Sequence, residues 1–226
     1  MSESVVSYEL EESLAIVRID DGKANALSPG LVGAVDEALD RAEKEARCLV
    51  IAGRPGRFSA GFDLGVMQQG GDAVRVMVGA GAELAVRLYG FPIPVVMACT
   101  GHALAMGAVL LLTADTRLGA EGEFKLGLNE VAIGMTLPVF AVELARDRLS
   151  PRYATRAVLE AEMYTPATAV EAGFLDRVVA SEALLDEARA EGQRLSQLDP
   201  RAHYKTKLAL RGGTIGRVRE SLSDLL

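Results

Sequence analysis

Two short stretches hold residue types and spacings suited to chemistry: Phe58-Ser59-Ala60-Gly61-Phe62-Asp63-Leu64 and Gly127-Leu128-Asn129-Glu130. The first suits a backbone-lined anion site, the second a single carboxylate held at a turn. Gly101-His102-Ala103-Leu104-Ala105-Met106-Gly107 lies between them. Preorganised N–H groups stabilise a developing oxyanion, and one positioned carboxylate can move a proton beside it. The combination suits proton transfer next to a carbonyl. Read purely as structure, Phe58 to Leu64 is a strand ending in a glycine turn that starts a helix. Glu130 is then a surface glutamate after a turn, but the flanking Leu126, Leu128, Val131 and Ile133 argue for a buried segment.

Other chemistries find little support. Gly79-Ala80-Gly81-Ala82-Glu83-Leu84 begins like a dinucleotide-binding fingerprint but ends in Leu and follows no strand. There is no phosphate-binding Gly-Lys-Ser/Thr loop, and Ser59 does not sit in a nucleophile elbow. The two histidines, His102 and His203, offer neither a triad nor a metal-ligand spacing. His102 reads as a packed or hydrogen-bonded side chain, and His203 as part of a solvated helix face.

These stretches need elements to position them. Val5–Leu10 and Leu14–Ile19 flank Glu11-Glu12-Ser13 as a β-hairpin. Ser28-Pro29 opens a helix running to about Ala46, with Leu31, Val35, Ala38, Leu39 and Ala42 on one face. Cys48 to Gly53 reads as a buried strand. Gly65 to Gly81, with five glycines, reads either as a mobile flap with a short helix over Asp72–Val78 or as a core helix. Pro92 to Ala98 is a strand, Leu104 to Ala114 an apolar helix, and Thr116–Gly119 and Phe124–Leu126 short strands. The last third is helical: Ser150-Pro151 and Thr165-Pro166 repeat the opening seen at Ser28, and Gly173 closes a helix. Arg177–Ala180 is a short strand, followed by a helix over Ser181–Leu198. The pattern is α/β or α+β.

At 226 residues the chain is long enough for a large core. Its net charge of −7, without any Lys/Arg block, argues against nucleic acid as the main partner. Met1 to Tyr8 lacks the features of a signal peptide, and the apolar run Ala103–Leu112 is about half the length of a bilayer span. Cys48 and Cys99 read as reduced core thiols. A cytoplasmic protein without membrane contact is expected.

The sequence resembles the crotonase family of enoyl-CoA hydratases and isomerases. The matching pieces are Gly22-Lys23-Ala24-Asn25-Ala26-Leu27, Phe58–Leu64, Gly101–Asp115, Gly127–Gly134 and Thr165–Val179, in the family's order. The resemblance implies a spiral of ββα units over residues 1–180, followed by a helical C-terminal region over 181–226. It implies an acyl-CoA thioester as the partner, no cofactor beyond the coenzyme A carried by the substrate, no metal, and a homotrimer or dimer of trimers. The backbone N–H groups of Phe62 and Met106 would hold the thioester oxygen. Lys23, Ala24, Ala60, Asp63 and Leu64 would line the CoA moiety. Lys205 and Lys207 would meet its phosphates or else lie on a solvated helix face.

Hydratases of this family use two glutamates, and Val109 stands in place of the first. Glu130 retains the second. Gly-Leu-Asn-Glu resembles the corresponding segment of the Δ3,Δ2-enoyl-CoA isomerases, which implies a single shuttle base, with Asn129 helping to hold its loop. A hydratase and an acyl-CoA-binding protein are the alternatives. Met67, Met97, Met135 and Phe140 suit an acyl pocket, although such residues also fill cores. The chain stops at Leu225-Leu226, earlier than crotonase relatives commonly do, which bears on trimer packing and on closure of the pocket.

Overall fold

The unbroken apolar run Cys48-Leu49-Val50-Ile51-Ala52 forms a strand with every residue buried, as expected where helices cover both faces of a parallel sheet. The computed structural model describes residues 5–222; Met1–Ser4 and the Leu225-Leu226 end lie outside them. A hairpin of β1 (Val6–Glu11) and β2 (Leu14–Ile19) opens the fold. Next come α1 (Pro29–Glu45), β3 (Cys48–Ala52), β4 (Gly56–Ser59), α2 (Leu64–Gln69) and α3 (Gly71–Tyr89). The second turn contains β5 (Val95–Cys99), β6 (Gly101–Leu104) and α4 (Met106–Thr113). The third contains β7 (Thr116–Ala120), β8 (Leu126–Gly127), a 3₁₀ turn over Val131–Ile133, and α5 (Val139–Arg148). Then follow α6 (Pro151–Val158), α7 (Pro166–Ala172), β9 (Arg177–Val179), α8 (Leu184–Ser196) and α9 (Pro200–Leu222).

Successive strands are dealt to two sheets. The larger has the order β1-β2-β3-β5-β7-β9 and the smaller β4-β6-β8. Apart from the opening hairpin, all named pairings are parallel. Each turn therefore gives one strand to each sheet before its helices, a spiral of ββα units. Leu184, Ala188 and Leu195 of α8 cover one face of the large sheet, against Leu14, Ile16, Val50, Val96 and Leu118. The other face meets α1, α3 and α4 in the main core. Because β4, β6 and β8 run parallel, their C-terminal ends Ser59, Leu104 and Gly127 lie on the same side. Ligands of open parallel sheets collect at such ends.

Local sequence accounts for the helix starts. Ser28 Oγ accepts from Leu31 N–H with Pro29 behind it, and Thr165 and Thr168 form a reciprocal capping box. Ser150 precedes α6 without a side-chain cap bond. Three expectations need correction. Gly65–Gly81 is neither one flap nor one core helix, because it breaks at Gly70-Gly71, both with positive φ, into a surface α2 and a long α3. The C-terminal half of α3 is core, with Leu84, Ala85 and Leu88 buried. The apolar helix begins at Met106 rather than Leu104, since Ala105 takes φ 50° and ψ −124°. Helix α5 was not expected at all. Among the described residues no helix is long and apolar enough to cross a membrane.

Candidate active site

Ser59, Leu104 and Gly127 end neighbouring strands, and the three expected site segments leave from them side by side. Main-chain bonds tie them together. Ala105 N–H donates to Gly127 O at 3.0 Å, and Ala60 N–H to Ala24 O at 3.0 Å. Leu27 N–H donates to Gly61 O, and Asp63 N–H to Leu27 O. Gly61 (φ 92°) is packed so closely that an added Cβ would sit 2.8 Å from Ala105 Cβ and 3.3 Å from Met106 N. Any side chain there would push the two segments apart.

The alternation of an extended chain then fixes where the amides point. Gly61 O and Asp63 N–H face Leu27, so Phe62 N–H is turned to the opposite side. It has no acceptor among the described residues. Met106 is the first residue of α4, and its N–H is one of the donors that a helix leaves unpaired. It too lacks an acceptor among the described residues. The conformation of Ala105, rare for a residue with a side chain, sets the direction of that second amide.

A cavity of about 570 Å³ opens here. Ala24, Ala60, Phe62, Asp63 and Leu64, all expected at the site, line it together with Glu130. Met67 and Met135 of the expected acyl pocket also line it, whereas Met97 and Phe140 are core side chains, 0% and 1% exposed. Met106, also expected at the site, is not among the lining residues: its side chain is buried, and its N–H directly follows Ala105, which does line the cavity. Lys23 is exposed beside Ala24, with its carbonyl held by Arg54. Asp63 caps α2 by accepting from Val66 N–H at 3.1 Å.

Glu130 is 8% exposed, and its Oε2 meets no donor among the described residues. Loss of water raises its pKa above the usual value of 4.5, opposed by a hydrogen bond from its own main chain. The 3₁₀ turn fixes its backbone, with Met135 N–H donating to Glu130 O at 2.9 Å. Val109 is 1% exposed in the core and is not part of the lining.

Two residues matter more than the sequence signalled. Asn25, fully buried at φ 51°, donates through Nδ2 to Ile19 O, Arg57 O and Phe58 O. Ser59 Oγ donates to Asn25 O and accepts from Gly61 N–H. Together they lock the 24–27 loop to the end of β4. A polar residue between two alanines, Ala24 and Ala26, was the available signal.

Lys207 requires correction. It is 5% exposed and ion-paired to Asp115 at 2.7 Å, with two carbonyls, Phe91 O and Ile93 O, filling its remaining bonds. This pocket lies at the N-terminal ends of β5 and β7 and shares no lining residue with the cavity, so Lys207 serves neither phosphates nor a solvated face. Lys205 is exposed. His203, expected in solvent, is partly buried beside this cluster. His102 matches its expectation: Nδ1 accepts from Lys125 N–H at 3.0 Å, and the ring stands edge-on to Phe124. Among the described residues no cluster could hold a metal ion.

The geometry is therefore an apolar cavity lined by one desolvated carboxyl and by Phe62, with a second unpaired amide, that of Met106, next to the lining residue Ala105. Comparison with known proteins gives the family. The family model for enoyl-CoA hydratase/isomerase matches residues 9–215. A solved enoyl-CoA hydratase/isomerase family protein from Pseudomonas syringae superposes with a TM-score of 0.95 at 43% identity, covering 97% of this chain and 96% of that one. The mitochondrial enoyl-CoA delta isomerase 1 of Rattus norvegicus is 28% identical, over 93% of this chain and 74% of its own length. A probable enoyl-CoA hydratase of Bacillus subtilis is 30% identical, over 87% of this chain and 78% of its own. The spiral fold and the sequence agree: the chain belongs to the enoyl-CoA hydratase/isomerase family.

Proposed function

We propose that the protein converts a 3-enoyl-CoA to its conjugated 2-enoyl isomer, with Glu130 as the shuttle base. The observation that carries this reading is the composition of the cavity wall. Glu130 and Asp63 are its ionisable side chains, and Asp63 is committed to capping α2. One free carboxylate suits a proton shuttle better than the two-carboxylate addition of water.

In this reaction the Glu130 carboxylate takes a proton from C2. The C2–H electron pair forms a C1–C2 double bond, and the carbonyl pair moves onto the thioester oxygen. The amides of Phe62 and Met106 hold that oxyanion, each donor being worth about 3–4 kcal/mol of barrier. The oxygen's pair then re-forms the carbonyl, the C1–C2 pair makes the C2–C3 bond double, and the C3–C4 π pair takes the proton back from Glu130 at C4. No proton is gained or lost overall. Burial helps, because a base that must hold a proton and then release it works best with a raised pKa.

Ala24, Ala60, Asp63 and Leu64 line the cavity and Lys23 is exposed next to Ala24; together they would meet the CoA moiety, which enters as part of the substrate. The same reading includes a homotrimer or dimer of trimers, supported by the exposed Val139, Leu159 and Leu210 side chains outside the cavity and tested by sedimentation. The deciding experiment offers purified protein 3-enoyl-CoA and 2-enoyl-CoA of several chain lengths. Isomerisation that is lost in Glu130→Gln supports the proposal. Fast hydration of 2-enoyl-CoA would instead make the protein a hydratase, and tight binding with neither reaction an acyl-CoA-binding protein.

A further inference from the structure

Two buried oxygens at the wall of the cavity, Asn129 Oδ1 and Glu130 Oε2, have no hydrogen-bond donor among the described residues. Buried polar atoms rarely remain unpaired without a reason. The other side chains named in the lining are apolar, apart from Asp63, which is occupied at the start of α2. The 24–26 loop presents alanines, the Leu104–Ala105 segment is apolar, and the turn after Glu130 adds Ile133 and Met135. None of these elements brings a cation or a second free carboxylate to Glu130.

An acyl chain fills such a cavity with C–H bonds, which donate poorly. The one strong donor created during isomerisation is the O–H that Glu130 gains when it takes the carbon-bound proton. We propose that Asn129 is a positioning residue whose carboxamide oxygen accepts that O–H and keeps the proton on Glu130 between C2 and C4. The inference rests on the isomerase reading. It adds that Asn129 favours the neutral acid over the carboxylate and shelters the proton from solvent. A carbonyl oxygen near a carboxyl group does both, since it attracts the O–H and repels the anion.

The test compares wild type with Asn129→Ala, Asn129→Leu and Asn129→Gln on a 3-enoyl-CoA in D₂O, following kcat, KM, the acid limb of the pH profile and deuterium in recovered substrate. In the alanine and leucine variants we expect kcat to fall about tenfold, the scale of one lost hydrogen bond, with KM nearly constant. Their acid limb should move to lower pH, and deuterium at C2 of recovered substrate should rise relative to turnover. Asn129→Gln, which keeps the carboxamide, should recover part of the protection from exchange, and thermal melts identify which variants are folded. Folded variants with an unmoved acid limb and unchanged exchange would overturn the role of Asn129, whatever their kcat. A wild type without isomerase activity, or an active Glu130→Gln, would overturn the isomerase reading and this inference with it. That result is distinct from an active, Glu130-dependent enzyme indifferent to Asn129.

Discussion

A Cβ added to Gly81 would lie 2.5 Å from Cε1 of Phe62, so α3 has glycine where the Phe62 ring lies against it. The ring anchors the residue whose N–H faces the cavity. Gly81→Ala should therefore displace Phe62 and misdirect that amide. We expect about 1–3 kcal/mol of destabilisation from overpacking and a larger fractional loss of kcat than of substrate binding. Gly33→Ala is the control: Gly33 sits in α1 with nothing within 4 Å of an added Cβ, and alanine there should stabilise by about 0.5–1 kcal/mol. Thermal melts beside isomerase kinetics separate the two outcomes.

Glu130→Gln should remove activity and raise stability together. Burial lifts the Glu130 pKa in the folded protein above its usual value of 4.5. Between those two values the folded state binds more protons than the unfolded state, so stability falls as pH rises through the window. Above it the folded protein bears the whole cost of a desolvated carboxylate. The glutamine variant should thus melt higher than wild type near neutral pH, with the gain shrinking as pH falls toward 4.5. Wild-type kcat/KM should fall on the acid side with a midpoint above 4.5, because the base must be ionised. A melting difference independent of pH would contradict this assignment.

Much of this fold was legible because its signals are local. Ser28-Pro29 and Thr165-Pro166 mark helix starts by a hydroxyl and a ring that act within one turn. The site segments were legible because backbone donors depend on small residues such as Gly61, whose need is steric and close at hand. Helix α3 was obscured because its glycines read as freedom, whereas Gly81 is there for contact with a ring nineteen positions away in sequence. Asn25 was passed over because its carbonyl partners include Arg57 and Phe58, more than thirty positions further along. Lys207 was misplaced because nothing in a string of letters shows that a lysine on α9 faces Asp115.

Asp115 is the anion shared by Lys207 at 2.7 Å and Arg211 at 3.1 Å, and it also accepts from Val95 N–H. Arg211 additionally donates to Tyr89 O, Thr113 O and Ala114 O, closing the C-terminal end of α4. Removing the carboxylate leaves two buried cations facing each other. Asp115→Ala should therefore destabilise by about 3–5 kcal/mol. Lys207→Met should be milder, since Arg211 still pairs with Asp115. Near-native KM for acyl-CoA is expected in every variant that folds, because the cluster lies away from the cavity. A raised KM with unchanged stability in Lys207→Met would return this lysine to the ligand.

Ala105 joins β6 to α4 at φ 50° and ψ −124°, a region that costs a residue with a Cβ about 1–3 kcal/mol. The strain has a local purpose in this geometry, since the next N–H is that of Met106. The conformation is held from both sides: Ala105 N–H donates to Gly127 O, while Ala105 O accepts from Ala108 and Val109 N–H at the start of α4. Glycine would relieve the strain, offset in part by its greater freedom when unfolded. Ala105→Gly should consequently be neutral or stabilising by up to about 1 kcal/mol. Its kcat should stay close to that of wild type, because the same main-chain bonds still aim Met106 N–H. Ala105→Val should do the opposite, since a β-branched residue at positive φ is a severe outlier and Ala105 Cβ already crowds Gly61. We expect it to lose more than about 2 kcal/mol, with a fall in kcat that exceeds any change in KM. If the glycine variant lost activity while melting as wild type does, the strain itself, rather than the bonds on either side, would be what aims the amide.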